Sequence, residues 1–279
     1  MITCKQFPGK TFASKEEVFK HLRENVSKII AVKKATIHKS FENGCVFSGF
    51  LLKEDGNIGK VGPQMKEDYI YPVINTTRYL DMHDDAHFDG IWNKSVKEQN
   101  GKIFYVTDHE TKIDSIIAWP EDVNVMVKSV PWSFVGKDYQ VNTEALIYEI
   151  PKDKLVHEGA KKIIEDKRPV QNSVRMQYVT IKLAMNSTAK EDITYKEYYD
   201  KRINEIANKD VAEAQGYFFG IEEAKIVTEG SMVIRGSNDA TPIRQKDTVA
   251  DTITTEKIEP ENPSTQAKQS IFSNLKLVR

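Results

Sequence analysis

Residues 174–185, Val-Arg-Met-Gln-Tyr-Val-Thr-Ile-Lys-Leu-Ala-Met, carry an apolar side chain at nearly every second position. That two-residue period predicts one long strand with Val174, Met176, Tyr178 (or Val179), Ile181 and Leu183 mostly on a single face. Ser173 stands at its start. A shorter apolar run, Ile103 to Val106, closes on Thr107-Asp108-His109-Glu110, a histidine between two carboxylates. A strand that ends in such a turn can hold a general base at a sheet edge. Ser115 to Trp119, Val123 to Val130 and Thr143 to Ile150 read as further short strands rich in β-branched residues. Pro120, Gly136-Lys137-Asp138 and Pro151 punctuate them. Phe41 to Phe50 with Leu51-Leu52, and Tyr69 to Thr76, are also extended in pattern, and Pro72 marks the latter as an edge strand. Tyr217 to Val227, holding Glu222 and Glu223, is the last strand; Gly230, Gly236 and Asn238 close the folded part.

Helical spacing appears in three places. Ser14-Lys15-Glu16-Glu17 is a capping box, in which Ser14 accepts from the Glu17 N–H and the Glu17 side chain reaches back. Val18, Phe19, Leu22, Val26, Ile29 and Ile30 then form the apolar stripe of a helix over about 14–34. Residues 155–165 and 194–215 read as two more helices, the second stopped by Gly216. Asp81-Met82-His83-Asp84-Asp85-Ala86-His87-Phe88-Asp89-Gly90 allows two readings. The aspartates suit the acidic first turn of a helix that buries Ile91, Trp92 and Val96. Alternatively, His83 and His87 with the carboxylates form a metal site, although no Glu follows the first His as in HExxH metalloproteases.

The chain of 279 residues has a net charge of −1, so no basic excess points to nucleic acid. No apolar run is long enough to cross a bilayer. Met1-Ile2-Thr3-Cys4-Lys5 lacks a signal-peptide pattern, and the expected compartment is a cytosol. Cys4 and Cys45 lie far apart without ligand spacing and read as reduced structural thiols. From Asp239 on, Thr, Asp, Glu, Pro, Gln and Ser dominate, which predicts a disordered tail over 239–279. The tail ends in an apolar tip, 270–278, that suits a docking peptide or a processing site. The expected organisation is an N-terminal helical extension (1–40), a main domain (41–238) and the tail.

Serine hydrolysis needs a hydroxyl beside a base, a group that orients the base, and donors for the oxyanion. Neither Gly-x-Ser-x-Gly nor Gly-Asp-Ser occurs, and the residues alone do not choose among the serines. Taken in order, however, the strand ending in Asp108-His109, the segment Ser173-Val174-Arg175-Met176-Gln177-Tyr178-Val179, the closing Gly220-Ile221-Glu222-Glu223-Ala224-Lys225-Ile226-Val227 and the trailer Gly236-Ser237-Asn238-Asp239-Ala240-Thr241-Pro242 resemble the tailed-phage (caudoviral) prohead maturation serine proteases. That family is related to the herpesvirus assemblin. The resemblance runs from about residue 76 to 242.

The resemblance implies an α+β, assemblin-like fold: a mostly antiparallel β-barrel surrounded by helices. It implies a serine endopeptidase without a cofactor, with His109 as general base and Ser173 as nucleophile. Glu223 is the expected third member, with Asp108 as the alternative. Asp108 is disfavoured because neighbours on an extended chain face opposite ways. Arg175 and Arg168 are the candidates for the oxyanion. Arg175 stands where the family segment has Gly, a departure that bears on the local backbone. The implied substrates are scaffold and major capsid proteins, with self-cleavage. The implied setting is the immature head in the host cytoplasm, in a phage or prophage context, as a homo-oligomer without nucleic-acid or membrane partners. Two other classes follow from the same residues: a non-catalytic capsid-assembly protein that keeps the protease fold, and a metal-dependent hydrolase using His83 and His87.

Overall fold

The computed structural model describes residues 1–36 and 65–246. The strand expected over 41–52, Cys45, and the tail from 247 with its apolar tip lie outside the described residues. The chain opens with β1 (Ile2–Thr3) paired to β2 (Thr11–Phe12), followed by α1 (Lys15–Ala35). The capping box is present in a shifted form. Ser14 Oγ accepts from the Glu17 N–H at 3.3 Å, and the Glu17 carboxylate reaches to the Ala13 N–H at 2.7 Å. Val18, Phe19 and Leu22 are buried, while Val26, Ile29 and Ile30 lean on the same core.

Beyond residue 64 come β3 (Tyr69–Thr76), β4 (Asp85–His87), α2 (Asn93–Gln99), β5 (Phe104–Thr107), β6 (Ile116–Ala118), β7 (Asn124–Pro131) and β8 (Asn142–Pro151). Then follow α3 (Glu158–Glu165), β9 (Gln171–Met185), α4 (Ile193–Arg202), α5 (Lys209–Gln215), β10 (Tyr217–Val233) and β11 (Ile243–Gln245). One sheet runs β4-β10-β5-β6, with β9 antiparallel along the other side of β10. A second runs β11-β3-β8-β7. Both sheets send side chains into one core: Ile70, Leu146 and Tyr148 from the second, Tyr105, Val174, Met176 and Ile226 from the first. The fold is therefore α+β. Among the described residues, however, no sheet closes on itself, so the expected barrel is replaced by separate sheets around a shared core.

Four local expectations are corrected. Residues 81–90 do not begin a helix: they form a turn and the short parallel strand β4, and the helix starts at Asn93. Pro72 does not mark a sheet edge, because β11 pairs outside β3; β11 is only three residues long, and Val73 N donates to Pro242 O instead. The helix expected over 194–215 is two helices, α4 and α5, with a break before Asn208; Gly216 caps the second in the left-handed region, φ 83°. Finally, the fold extends past 238. Ala240 and Thr241 are fully buried and β11 joins the sheet, so the tail boundary at 239 is too early.

Residues 1–36 are not an appendage. Three carboxylates of the main body are almost stripped of solvent, and each takes its cation from this segment: Asp84 from Lys5 (2.6 Å), Asp85 from Lys33 (2.6 Å) and Asp192 from Arg23 (2.7 Å). Each also accepts a hydroxyl on its second oxygen, from Tyr217 (2.9 Å), Tyr178 (2.8 Å) and Ser187 (2.6 Å) respectively. A buried charge survives only when paired and hydrogen-bonded in this way. Burial, and then the neighbouring aspartate, pushes both tyrosine hydroxyls up, so they remain donors.

Asp81 beside them is different. Its Oδ1 accepts from the N–H groups of His83 and Asp85, but its buried Oδ2 has no hydrogen-bond partner among the described residues. Burial first, and then the charge of Asp85, raises its carboxyl well above the ordinary value. The folded chain thus holds this proton to higher pH than the unfolded chain, and stability is lost as pH rises from the unfolded value near 4 through the folded one. Asp81→Asn keeps the Oδ1 acceptor and removes the charge. It should raise Tm by about 2–4 °C at pH 7, with the gain shrinking toward pH 4; melts followed by circular dichroism across pH check this.

Candidate functional site

Strand β5 ends against β10, with Asp108 N donating to Met232 O at 2.9 Å. The chain then reverses in a tight turn closed by Glu110 N to Thr107 O at 2.9 Å. Both central residues, Asp108 (φ 48°) and His109 (φ 56°), are left-handed. Such a conformation costs a non-glycine residue on the order of 1–3 kcal/mol and persists only where its surroundings enforce it. The turn folds His109 back over the sheet. Its side chain is buried, while Asp108 and Glu110 point to solvent.

Under the imidazole lies Glu229, wholly buried, with Oε1 at 2.8 Å from His109 Nδ1. A carboxylate only accepts, so Nδ1 carries the proton and Nε2 is the basic nitrogen. Glu229 Oε2 has no hydrogen-bond partner among the described residues, so the carboxylate is directed at the ring. The position of Glu229 is set by an irregularity in the β9–β10 ladder. Met176 pairs with Ile226 and Val174 with Gly230, so Arg175 alone faces Val227, Thr228 and Glu229. Thr228 is left-handed there (φ 70°). A bulge of this kind re-aims side chains and is over-represented beside active sites.

Two residues on, Ser231 lies directly opposite Ser173. Opposed residues of an antiparallel pair share a face, with Cβ atoms about 4.5–5.5 Å apart. Ser173, Ser231, Glu229 and Arg175 therefore line one face, while Val174, Gly230 and Met232 take the core side. His109 is tied to the same place, its N–H donating to Ser231 Oγ at 2.8 Å.

The expected residues thus separate. His109, Ser173 and Arg175 are brought to one face at one end of the β9–β10 ladder. Arg175 makes no ion pair with a described carboxylate, and its buried Nε has no partner among the described residues. Glu223 is not part of the group. It lies six residues before Glu229, on the far side of the bulge, with its carboxylate on Lys94 at 3.3 Å. The carboxylate on His109 belongs to Glu229, which the sequence reading passed over because it ended the strand at Val227. The signal for it was an acid followed by Gly230-Ser231 inside an extended run, since small residues there mark close backbone approach. Asp108 is exposed. The reason is the left-handed turn and not strand alternation, because the chain is no longer extended there. Arg168 is exposed against Asp166 at 3.7 Å.

Of the metal alternative, His87 Nδ1 lies 3.2 Å from Asn75 Oδ1 and its Nε2 lies 3.4 Å from the Tyr178 hydroxyl. Among the described residues no group of three or more His, Cys, Asp or Glu could hold a metal. Burial pushes the Cys4 thiol up, which makes it a poor nucleophile. No helix among the described residues is long and apolar enough to cross a membrane.

The trailer that figured in the family resemblance clamps the start of β9. Asn172 N donates to Thr241 O at 2.9 Å, and Asn172 Nδ2 to the same oxygen at 2.8 Å. Gly236 N donates to Gln171 Oε1 at 2.8 Å, and Asn238 ties the loop to Thr76 Oγ1 at 2.9 Å. Comparison with protein-family models, with curated proteins and with solved structures finds no match to this chain.

A Cβ on Gly236 would sit 2.9 Å from Asn172 O and 3.1 Å from Asn238 O, both backbone atoms that cannot swing away. Gly236→Ala should therefore cost about 1–3 kcal/mol, read as a lower urea midpoint at unchanged slope.

Proposed function

We propose that the protein is a serine endopeptidase in which Ser173, His109 and Glu229 form the catalytic set. The observation that carries this is the 2.8 Å contact between His109 Nδ1 and buried Glu229, held on the strand that lies beside Ser173. In the proposed reaction Ser173 Oγ attacks the scissile carbonyl carbon as His109 Nε2 takes the hydroxyl proton. Glu229 stabilises the imidazolium and fixes the ring. The guanidinium of Arg175, which meets no carboxylate among the described residues, stands two residues along the same face and is the proposed donor to the oxyanion. Collapse of the tetrahedral species breaks the C–N bond, and the imidazolium protonates the departing amine. Water, deprotonated by His109, then attacks the acyl-serine, and the serine recovers its proton.

The order of motifs that resembles the tailed-phage prohead proteases supports a narrower reading. We take the two larger sheets around their shared core as this chain's form of the assemblin-like architecture. The substrates would be scaffold and major capsid proteins inside the immature head, with self-cleavage, and the enzyme would act as a homo-oligomer in the host cytoplasm.

Fluorophosphonate labelling read by intact mass tests the chemistry without a known substrate. The wild-type chain should gain one adduct, on Ser173, and Ser173→Ala and His109→Ala should gain none. Glu229→Gln should slow labelling on the order of 10⁴-fold, whereas Glu223→Gln should stay within about twofold because it only loses a surface ion pair. A wild-type chain that is never labelled, or a Ser173→Ala chain labelled like wild type, removes this assignment. In the first case a non-catalytic capsid-assembly protein takes its place.

A further inference from the structure

We infer that Ser231 is a positioning residue, the hydroxyl that locks the histidine-bearing turn onto the sheet. The inference rests on His109 acting as the general base. Ser231 is fully buried on β10 and is flanked on one side by Val106, the residue before the turn's first, and on the other by Ser173. Its Oγ accepts the His109 N–H at 2.8 Å and lies 3.2 Å from both Val106 O and Met232 O. A carbonyl can only accept, so the hydroxyl proton points to one of these two oxygens, and the oxygen lone pair is turned toward His109.

This arrangement has two consequences. Ser231 is not the nucleophile, although it stands beside Ser173 on the same face. Its oxygen is committed to a backbone amide and its proton to a strand carbonyl, and it is shut off from solvent. Secondly, it supplies what a left-handed pair of residues needs in order to persist. Within the turn, Asp108 N is satisfied by Met232 O and Glu110 N by Thr107 O. The acceptor for the amide between them is Ser231 Oγ. Without that hydroxyl this buried N–H loses its acceptor on β10, at the residue whose ring must stay on Glu229.

The test uses the full chain and has two readouts, only one of which needs activity. In Ser231→Ala, the maximal rate of fluorophosphonate labelling of Ser173 should fall roughly ten- to a hundredfold, with the probe's half-saturating concentration within about twofold of wild type. Ser231→Thr, which keeps the hydroxyl, should restore most of the rate; loss of packing alone would not be rescued in this way. By amide hydrogen exchange, His109 N–H should exchange at least about tenfold faster in Ser231→Ala, while Val174 and Ala224 in the β9–β10 ladder keep their protection. Should the alanine chain fail to fold, Ser231→Cys, with a weaker acceptor of similar shape, takes its place.

Unchanged protection at His109 in Ser231→Ala overturns the inference, whatever the labelling rate does. Faster exchange with an undiminished labelling rate overturns it as well. If the wild-type chain is never labelled, the general-base assignment has failed, and the exchange measurement alone decides whether Ser231 holds the turn.

Discussion

The register between β9 and β10 is the constraint on which the site depends. These strands are 15 and 17 residues long and pair antiparallel from Tyr217–Met185 to Val233–Gln171. Strand β10 also takes β4 and β5 in parallel on its other side. Ser173 is placed by the first pairing and His109, through β5, by the second, while Glu229 and Ser231 belong to the shared strand itself. A slip of one residue would turn Ser173 toward the core and Val174 toward the outer face. The extra residues of the 226–230 bulge set the register anew just before the site. Gly230 is required there, because a Cβ would meet the Tyr148 hydroxyl at 2.7 Å, inside the core that both sheets share.

Polar groups are buried at both ends of β10, but they are satisfied differently. At the β4 end lysine and arginine from residues 1–36 meet Asp84, Asp85 and Asp192, and a hydroxyl fills the remaining oxygen of each, while one oxygen of Asp81 beside them has no partner among the described residues. At the β5 end Glu229 faces an imidazole, not a fixed cation, and the Arg175 guanidinium nearby meets no described carboxylate. The first pattern holds a structure together. The second leaves an imidazole on a buried carboxylate and a guanidinium that meets no carboxylate among the described residues. Six non-glycine residues among those described have positive φ, and three of them, Asp108, His109 and Thr228, lie within this cluster.

Much of the architecture was legible where local pattern and tertiary environment agree. The period of two in 174–185, the apolar stripe of 18–30 and the stop at Gly216 each follow from one face being buried or from one φ being required. The failures share a cause, since they depend on pairings distant in sequence. Asp81 to Asp89 looked like a helix start because its carboxylates could serve free N–H groups. In the fold two of them are counter-ions to lysines 79 and 52 residues away in sequence. Pro72 looked like an edge residue because nothing local announces that 243–245 returns beside it. Within the site, His109 and Ser173 were reached through a resemblance and not through periodicity. Glu229 was missed because nothing local announces that the last strand runs on past Val227 through a bulge.

The ion pairs of the N-terminal segment bear on the order in which the chain can assemble. During synthesis α1 emerges early and can coil on its own capping signals, yet its partners come much later. Lys33 waits for Asp85, and Arg23 for Asp192, which follows it by 169 residues. Until β10 is made, the sheet that Phe19 and Leu22 pack against is also incomplete. Contacts so far apart in sequence form slowly. The helix α1 therefore precedes in synthesis the partners that pair its cations, and it docks only once β4, β9 and β10 are in place.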